Sequence, residues 1–456
     1  MAQSKEQQLW QGCTDGNLGT VKELASDPAV DINWVGEDRL DTPLHRACRF
    51  GHLEIVKVLL AREKIEVNKG NKGDAGPFSL ACQEGHKEVV SLLLTDPRID
   101  LNKANKKEVT PFYVACQNGH KEVVSLLLAD PRIDPNKPQN EGATPLNMAC
   151  QEGHKEVVSL LLADPRVDPN EPANEGATPL NMACQEGHKE VVSLLLADPR
   201  IDPNKSNRNS TTSFFIACQE GHKEIASLLL ADQRVDPNKA KNDGATPFSV
   251  ACECGHKEVV LLLLADPRID PNKPMNNYTS PLWYASQNGH LVVVQLLLAS
   301  EKEINTRTRS TFNNKTAAEQ GRTTGLRATK PADEPEGIFQ RKKTNSPLCA
   351  DLIDEYERDP EHLRVKHRLR RLPGLREYFI GHLFALVIFH SDNFVAINER
   401  TAHSDTRRFF RITSHLPLDL QMVLCNRIFG SPRDVILSRD SELGFRYLAR
   451  TITWQQ

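Results

Sequence analysis

Eight Gly-His pairs, at 51–52, 85–86, 119–120, 153–154, 187–188, 221–222, 255–256 and 289–290, place a histidine every 34 residues along the 456-residue chain. Imidazole binds zinc and carries protons near neutral pH, so such a row raises both metal binding and acid–base catalysis. Spacing decides against both. Zinc holds its ligands at about 2 Å, whereas packed helices lie about 8–10 Å apart, so rings in successive copies do not converge on one ion. Each histidine is instead expected to bond locally at the start of a helix. Neither a metal nor a cofactor is expected. Seven cysteines share another register: Cys48, Cys82, Cys116, Cys150, Cys184, Cys218 and Cys252, with Ser286 in the eighth place. A disulfide needs Cα atoms within about 7 Å, closer than this stacking brings them. They read as small buried core residues in a reducing compartment, cytoplasm or nucleus. Cys254 stands off that register and reads as an inert surface thiol. The chain has no G-x-S-x-G, no glycine-rich phosphate loop, no H-E-x-x-H and no paired C-x-x-C, so no enzymatic activity is expected.

The elements that carry these residues repeat with them. The fourth copy, 140–166, reads NEGATPLNMACQEGHKEVVSLLLADPR, and 174–200 repeats it without a change. Thr144 can cap a helix and Pro145 suits its first position. Leu146, Ala149 and Cys150 fall on one helical face. Gly153 permits the left-handed turn that ends this short helix. A second helix follows, with Val157, Val158, Leu160, Leu161 and Leu162 as its apolar face and Lys155 and Glu156 on the wet side. Asp164-Pro165 stops it. One such pair cannot bury its own apolar face, so the copies must stack.

The stretch TPLHRACRFGHLEIVKVLL at 42–60 resembles the ankyrin repeat, whose signature includes T-P-L-H-x-A. The resemblance covers roughly 6–305. It departs from the pattern where the signature histidine, kept at His45, becomes Ser79, Tyr113, Asn147, Asn181, Phe215, Ser249 and Trp283, and where Asp-Pro-Arg follows the second helix. It implies an all-α ankyrin-repeat solenoid of helix-turn-helix-loop units that binds proteins on a concave surface. In that family the contacts come from the ends of the first helices and the loop tips. Carried onto this chain, the helix-end residues are Arg49, Phe50, Gln83, Glu84, Gln117, Asn118, Gln151, Glu152, Gln185, Glu186, Gln219, Glu220, Glu253, Cys254, Gln287 and Asn288. The tips include Lys106, Lys107, Asn140, Glu141, Arg208, Asn242 and Asp243. Phe50 is the expected anchor, because aromatic side chains are enriched among interface hot spots.

Charge marks a boundary. Residues 1–300 hold 31 Lys and Arg against 40 Asp and Glu, whereas 301–456 hold 26 against 20, and 20 of those 26 are Arg. We expect a capping repeat over 1–40, ankyrin repeats over 41–305, a degenerate repeat and linker over 306–347, and a small helical C-terminal domain over 348–456. Its helices are expected at 350–372, 375–389, 405–413, 417–429 and 441–451. The longest apolar run, 378–389, is too short to cross a bilayer, so no membrane partner is expected. Leu416, Pro417 and Leu420, followed by Leu424 and Ile428, resemble the opening of an F-box, a segment that docks on the adaptor of a ubiquitin ligase. The run RVKHRLRR at 364–371 reads as a solvated helix face, with an import signal or nucleic-acid patch as the alternative. Three roles follow in order: a protein-binding scaffold, a ubiquitin-ligase substrate adaptor, and a nucleic-acid-associated regulator, with nucleic acid the least favoured partner.

Overall fold

The computed structural model describes residues 3–375, apart from 301, 327–329, 332–333, 360–361, 371 and 373–374. Every regular element among the described residues is a helix. The N-terminal pair is α1 (Lys5–Asp15) and α2 (Leu18–Ser26). Five repeats follow it: α3 (Pro43–Arg49) with α4 (Leu53–Leu60), α5 (Pro77–Glu84) with α6 (Lys87–Leu94), α7 (Pro111–Gln117) with α8 (Lys121–Leu128), α9 (Pro145–Gln151) with α10 (Lys155–Ala163), and α11 (Pro179–Glu186) with α12 (Lys189–Ala197). Three more are α13 (Ser213–Gln219) with α14 (Lys223–Ala231), α15 (Pro247–Cys254) with α16 (Lys257–Leu264), and α17 (Pro281–Gln287) with α18 (Leu291–Ala299). Beyond them lie α19 (Ala317–Gly325), α20 (Glu336–Arg358) and α21 (Leu363–Leu369). Two compact units divide between Ser213 and Phe214, at the start of α13.

In the first unit the fourth repeat shows why the sequence folds this way. The Thr144 hydroxyl accepts from the Asn147 N–H at 3.3 Å, and Asn147 Oδ1 accepts from the Thr144 N–H at 2.8 Å, a reciprocal cap on α9. Pro145 opens the helix, and Gly153 turns the chain at φ +77°. Leu146, Ala149, Cys150, Val157, Val158 and Leu161 are all buried to within about 1% of complete, while Lys155 and Glu156 stay exposed. Leu160 and Leu162 are only half-buried, so the apolar face is narrower than their spacing implied.

Asp-Pro-Arg replaces the usual loop with a staple. Arg166 forks onto Asp164, with Nη2 at 2.7 Å, and the same nitrogen donates to the Leu128 carbonyl of the repeat before at 2.8 Å. Arg98, Arg132 and Arg200 do the same to Leu60, Leu94 and Leu162. A second row is amide: Asn68, Asn102, Asn136 and Asn170 each donate to the carbonyl of the next repeat's arginine.

The second unit continues the same plan through α18 and then departs from the sequence reading. Within 306–347, α19 falls in the expected degenerate repeat, whereas half of α20 occupies the expected linker. The helix expected from 350 to 372 starts fourteen residues earlier, at Glu336, runs through Pro347 and stops at Arg358. α20 packs on α19 through small groups. A Cβ at Gly321 would lie 2.6 Å from the Ser346 carbonyl and 2.6 Å from Ser286 Oγ, so only glycine permits the approach. Arg322 pairs with Asp354 across the same seam. The basic run forms α21, which buries Val365 and Leu369; Arg368 pairs with Glu355 at 2.6 Å, and Arg370 donates to the Ala299 carbonyl at 2.9 Å. The F-box-like segment and the helices expected at 405–413, 417–429 and 441–451 lie outside the described residues, as does nearly all of 375–389.

Candidate interaction surface

Each first helix ends within two residues of a Gly-His pair, and the histidine that opens the second helix stands beside the helix end of the repeat before. Its Nε2–H donates there. His86 reaches the Arg49 carbonyl at 2.8 Å, His120 that of Gln83 at 2.7 Å, His154 that of Gln117 at 2.8 Å and His188 that of Gln151 at 2.9 Å. In the second unit His256 and His290 reach Gln219 and Glu253, both at 2.8 Å. The expected local bond is thus corrected: the partner lies 37 residues away in sequence. The ring passes over the preceding repeat's glycine, where a Cβ on Gly153 would stand 2.5 Å from the His188 ring. Gly and His are therefore two halves of a joint between repeats.

With the carbonyls committed, the helix-end side chains form the outer surface. Glu84, Asn118, Glu152, Gln185 and Glu186 are exposed in the first unit, and Gln219, Glu220 and Cys254 in the second; Gln83, Gln117, Gln151 and Glu253 are half-buried. Asn118 folds back, its Nδ2 donating to the Gln83 carbonyl at 2.8 Å. Burial beside Glu253 and Glu220 pushes the Cys254 thiol up to about 11, which suppresses thiolate at neutral pH. Burial likewise pushes Cys13 up to about 12.

Phe50 is 43% exposed, as an anchor should be, but it does not stand alone. The Arg46 guanidinium lies 4.8 Å from its ring centre and 4.4 Å from that of Trp10. Arg49 is turned inward, with Nη1 3.3 Å from Asp41 Oδ2, and Arg46 is 3.6 Å from the same oxygen. Asp41 is 1% exposed, so both cations are held to neutralise a buried charge. A cavity of about 480 Å³ opens beside them, lined by Trp10, Trp34, Arg39 and Arg46 among others.

Lys106, Lys107, Asn140, Glu141, Arg208, Asn242 and Asp243 are exposed at finger tips. Backbone bonds tie each finger to the one before: Lys106 N–H to the Gly73 carbonyl at 3.0 Å, Asn140 to Lys107 at 3.1 Å, Asn174 to Glu141 at 3.1 Å and Arg208 to Glu175 at 3.0 Å. The tips thus carry their side chains at fixed intervals.

The eighth helix-end pair differs from the rest. Gln287 and Asn288 are half-buried under α20, where Ser346 Oγ donates to the Gln287 carbonyl at 3.0 Å and Arg341 Nε to that of Asn288 at 3.2 Å. Ser346 makes the bond that a histidine makes elsewhere. Burial, helped by Arg341, depresses His290 to about 4. Burial near Asp243 raises Glu253 above its ordinary range. Sequence reasoning missed α20's part here, because the acceptors are backbone atoms. It also passed over Tyr278 and Phe312, exposed aromatics that break the polar pattern of the tips.

Among the described residues no three His, Cys, Asp or Glu side chains cluster as metal ligands, and no helix is long and apolar enough to cross a membrane. A family model described as ankyrin repeats, in three copies, matches residues 9–105, 78–173, 112–207, 160–240 and 214–309. No curated protein matches the chain.

Proposed function

From the premise that the chain belongs to the ankyrin-repeat family across residues 9–309, we propose that it is a non-catalytic scaffold or adaptor that grips a protein partner on its helix ends and finger tips. One observation carries this. The backbone acceptors at the helix ends are spent on neighbouring repeats, while the side chains of Glu84, Glu152 and Glu186 in the first unit face solvent. Polar side chains held in a fixed row and exposed to solvent are what a binding surface requires.

The test replaces Glu152, Gln185 and Glu186 with alanine in the full chain. Partners captured by the parent protein are compared with those captured by the variant, and both proteins are melted. The reading expects loss of at least one specific partner at unchanged stability. Identical capture by both proteins would overturn it for these repeats.

The finer role of ubiquitin-ligase adaptor rests on Leu416, Pro417, Leu420, Leu424 and Ile428 alone. Leu416→Ala with Leu420→Ala should then abolish capture of a ligase adaptor by the full chain. Seven buried cysteines in one register support residence in the cytoplasm or nucleus.

A further inference from the structure

Two aromatic side chains stand on consecutive finger tips of the second unit, whose other tips are polar. Tyr278 occupies the left-handed position of the eighth finger at φ +58°. Its counterparts are Leu40, Asp74, Glu108, Gly142, Gly176, Ser210 and Gly244, three of them glycine. A bulky residue at positive φ is strained, and such strain persists where a function holds it. Tyr278 buries little in return, being 58% exposed.

The ninth finger presents the other ring. Thr311 donates from both N–H and Oγ1 to the Asn277 carbonyl, at 2.9 and 3.0 Å, which extends the row of finger bonds by one more step. Phe312 therefore takes the tip position held by Lys107, Glu141, Glu175, Asp243 and Asn277 in other fingers. It is 82% exposed. Its turn is pinned: Arg309 donates to the Asn314 carbonyl at 2.7 Å and forks onto Glu319 of α19 at 2.9 and 3.0 Å. Two consecutive fingers joined through their backbones thus each hold an aromatic ring out to solvent on a rigid support.

We propose that Tyr278 and Phe312 form the apolar anchor of the scaffold surface in the second unit, and that it takes an acidic protein segment bearing aliphatic or aromatic side chains. The proposal deepens the scaffold reading and rests on it. Exposed aromatics on neighbouring rigid supports mark protein contacts. Charge selects the partner: Arg307 and Lys315 flank the Phe312 finger, and neither has a carboxylate within ion-pair distance among the described residues. Single-stranded nucleic acid also stacks on exposed rings; the protein-binding reading of the repeats favours a peptide, and an oligonucleotide is the competing outcome of the test.

The test uses the full chain and three labelled probes: a peptide of glutamate and aspartate interspersed with leucine and phenylalanine, the same peptide with lysine for each acid, and a thymidine oligonucleotide. The acidic peptide should bind, the lysine peptide should not, and Tyr278→Gly and Phe312→Ala should each weaken binding about tenfold. Tyr278→Gly should also melt no lower than the parent, because glycine accepts the left-handed conformation without strain. Failure of the acidic peptide to bind, binding by either variant as tight as the parent's, or an oligonucleotide that binds and depends on the two rings would each overturn the proposal. None of these outcomes touches the helix ends, which the Glu152, Gln185 and Glu186 variant tests by itself.

Discussion

A histidine and a carbonyl 37 residues apart make a bond that neither repeat can make alone, so its loss is felt on both sides. His188→Ala leaves the Gln151 carbonyl without its partner in a half-buried seam. The expected cost is about 1–3 kcal/mol, read by denaturant unfolding; a variant within about 0.3 kcal/mol of the parent would remove the joint from the account. His290 adds a dependence on pH. Its folded pKa, about 4, lies below the ordinary value of 6.5, so the unfolded chain binds the proton more readily. Stability from this site is whole above pH 6.5 and is lost progressively as pH falls toward 4. Arg341, Lys342 and His256 oppose the charge on the ring, while Glu253, raised by burial, contributes with the opposite sign. The hydrogen-exchange protection of α17 and α20, taken relative to the base-catalysed intrinsic rate at each pH, should fall between pH 7 and pH 5, and His290→Gln should flatten that response. Unaltered pH dependence in the variant would exclude His290 as its source. The sequence made these residues visible as a register. It could not say whether each ring turns into its own helix or back toward the preceding repeat, because a period of 34 is the same for both.

At the scale of the helix, apolar spacing located every element of the repeats. Leu127, Leu161, Leu195 and Leu229, expected between neighbouring helices, are each 0% exposed. Leu161→Ala should cost about 2–5 kcal/mol through lost contacts and a cavity, and Leu161→Asp more, by burying an unpaired charge. Gln151→Ala, which keeps the backbone carbonyl of the joint, and Glu152→Ala beside it should each stay within about 0.5 kcal/mol of the parent. Thermal melting of the four proteins checks the order, and a stable Leu161→Asp protein would sink the helical register. α20 escaped the same reasoning for a physical reason. Its N-terminal half buries Phe339 but otherwise packs through Ser346 and the glycine it meets, and close approach of small groups leaves no apolar period. Pro347 then looked like an ending. The candidate surface was legible as positions, not as availability: nothing in Arg49 announces a buried Asp41, and nothing in Gln287 announces α20.

Across the molecule, the division between Ser213 and Phe214 falls in the sixth repeat, whose sequence is the least regular. Ser213 replaces the proline that opens most first helices, Gln233 the proline that stops the second, and Ala226 a valine. Each repeat leans only on its neighbours, so local weakness is not averaged away. Amides of α13 and α14 should exchange faster than those of α9 through α12, by a margin on the order of 1 kcal/mol of opening energy; equal protection across these helices would count against a soft sixth repeat. The joint itself has an evolutionary consequence. Every repeat brings one histidine and one carbonyl, and residues 140–166 and 174–200 are the same 27 letters. A tandem copy of 34 codons therefore inserts a link already equipped to accept from one neighbour and donate to the other, while Ser346 still closes the last acceptor. Ancestral genes of this kind could grow or shrink by whole links, lengthening the reach of the surface without redesigning either end.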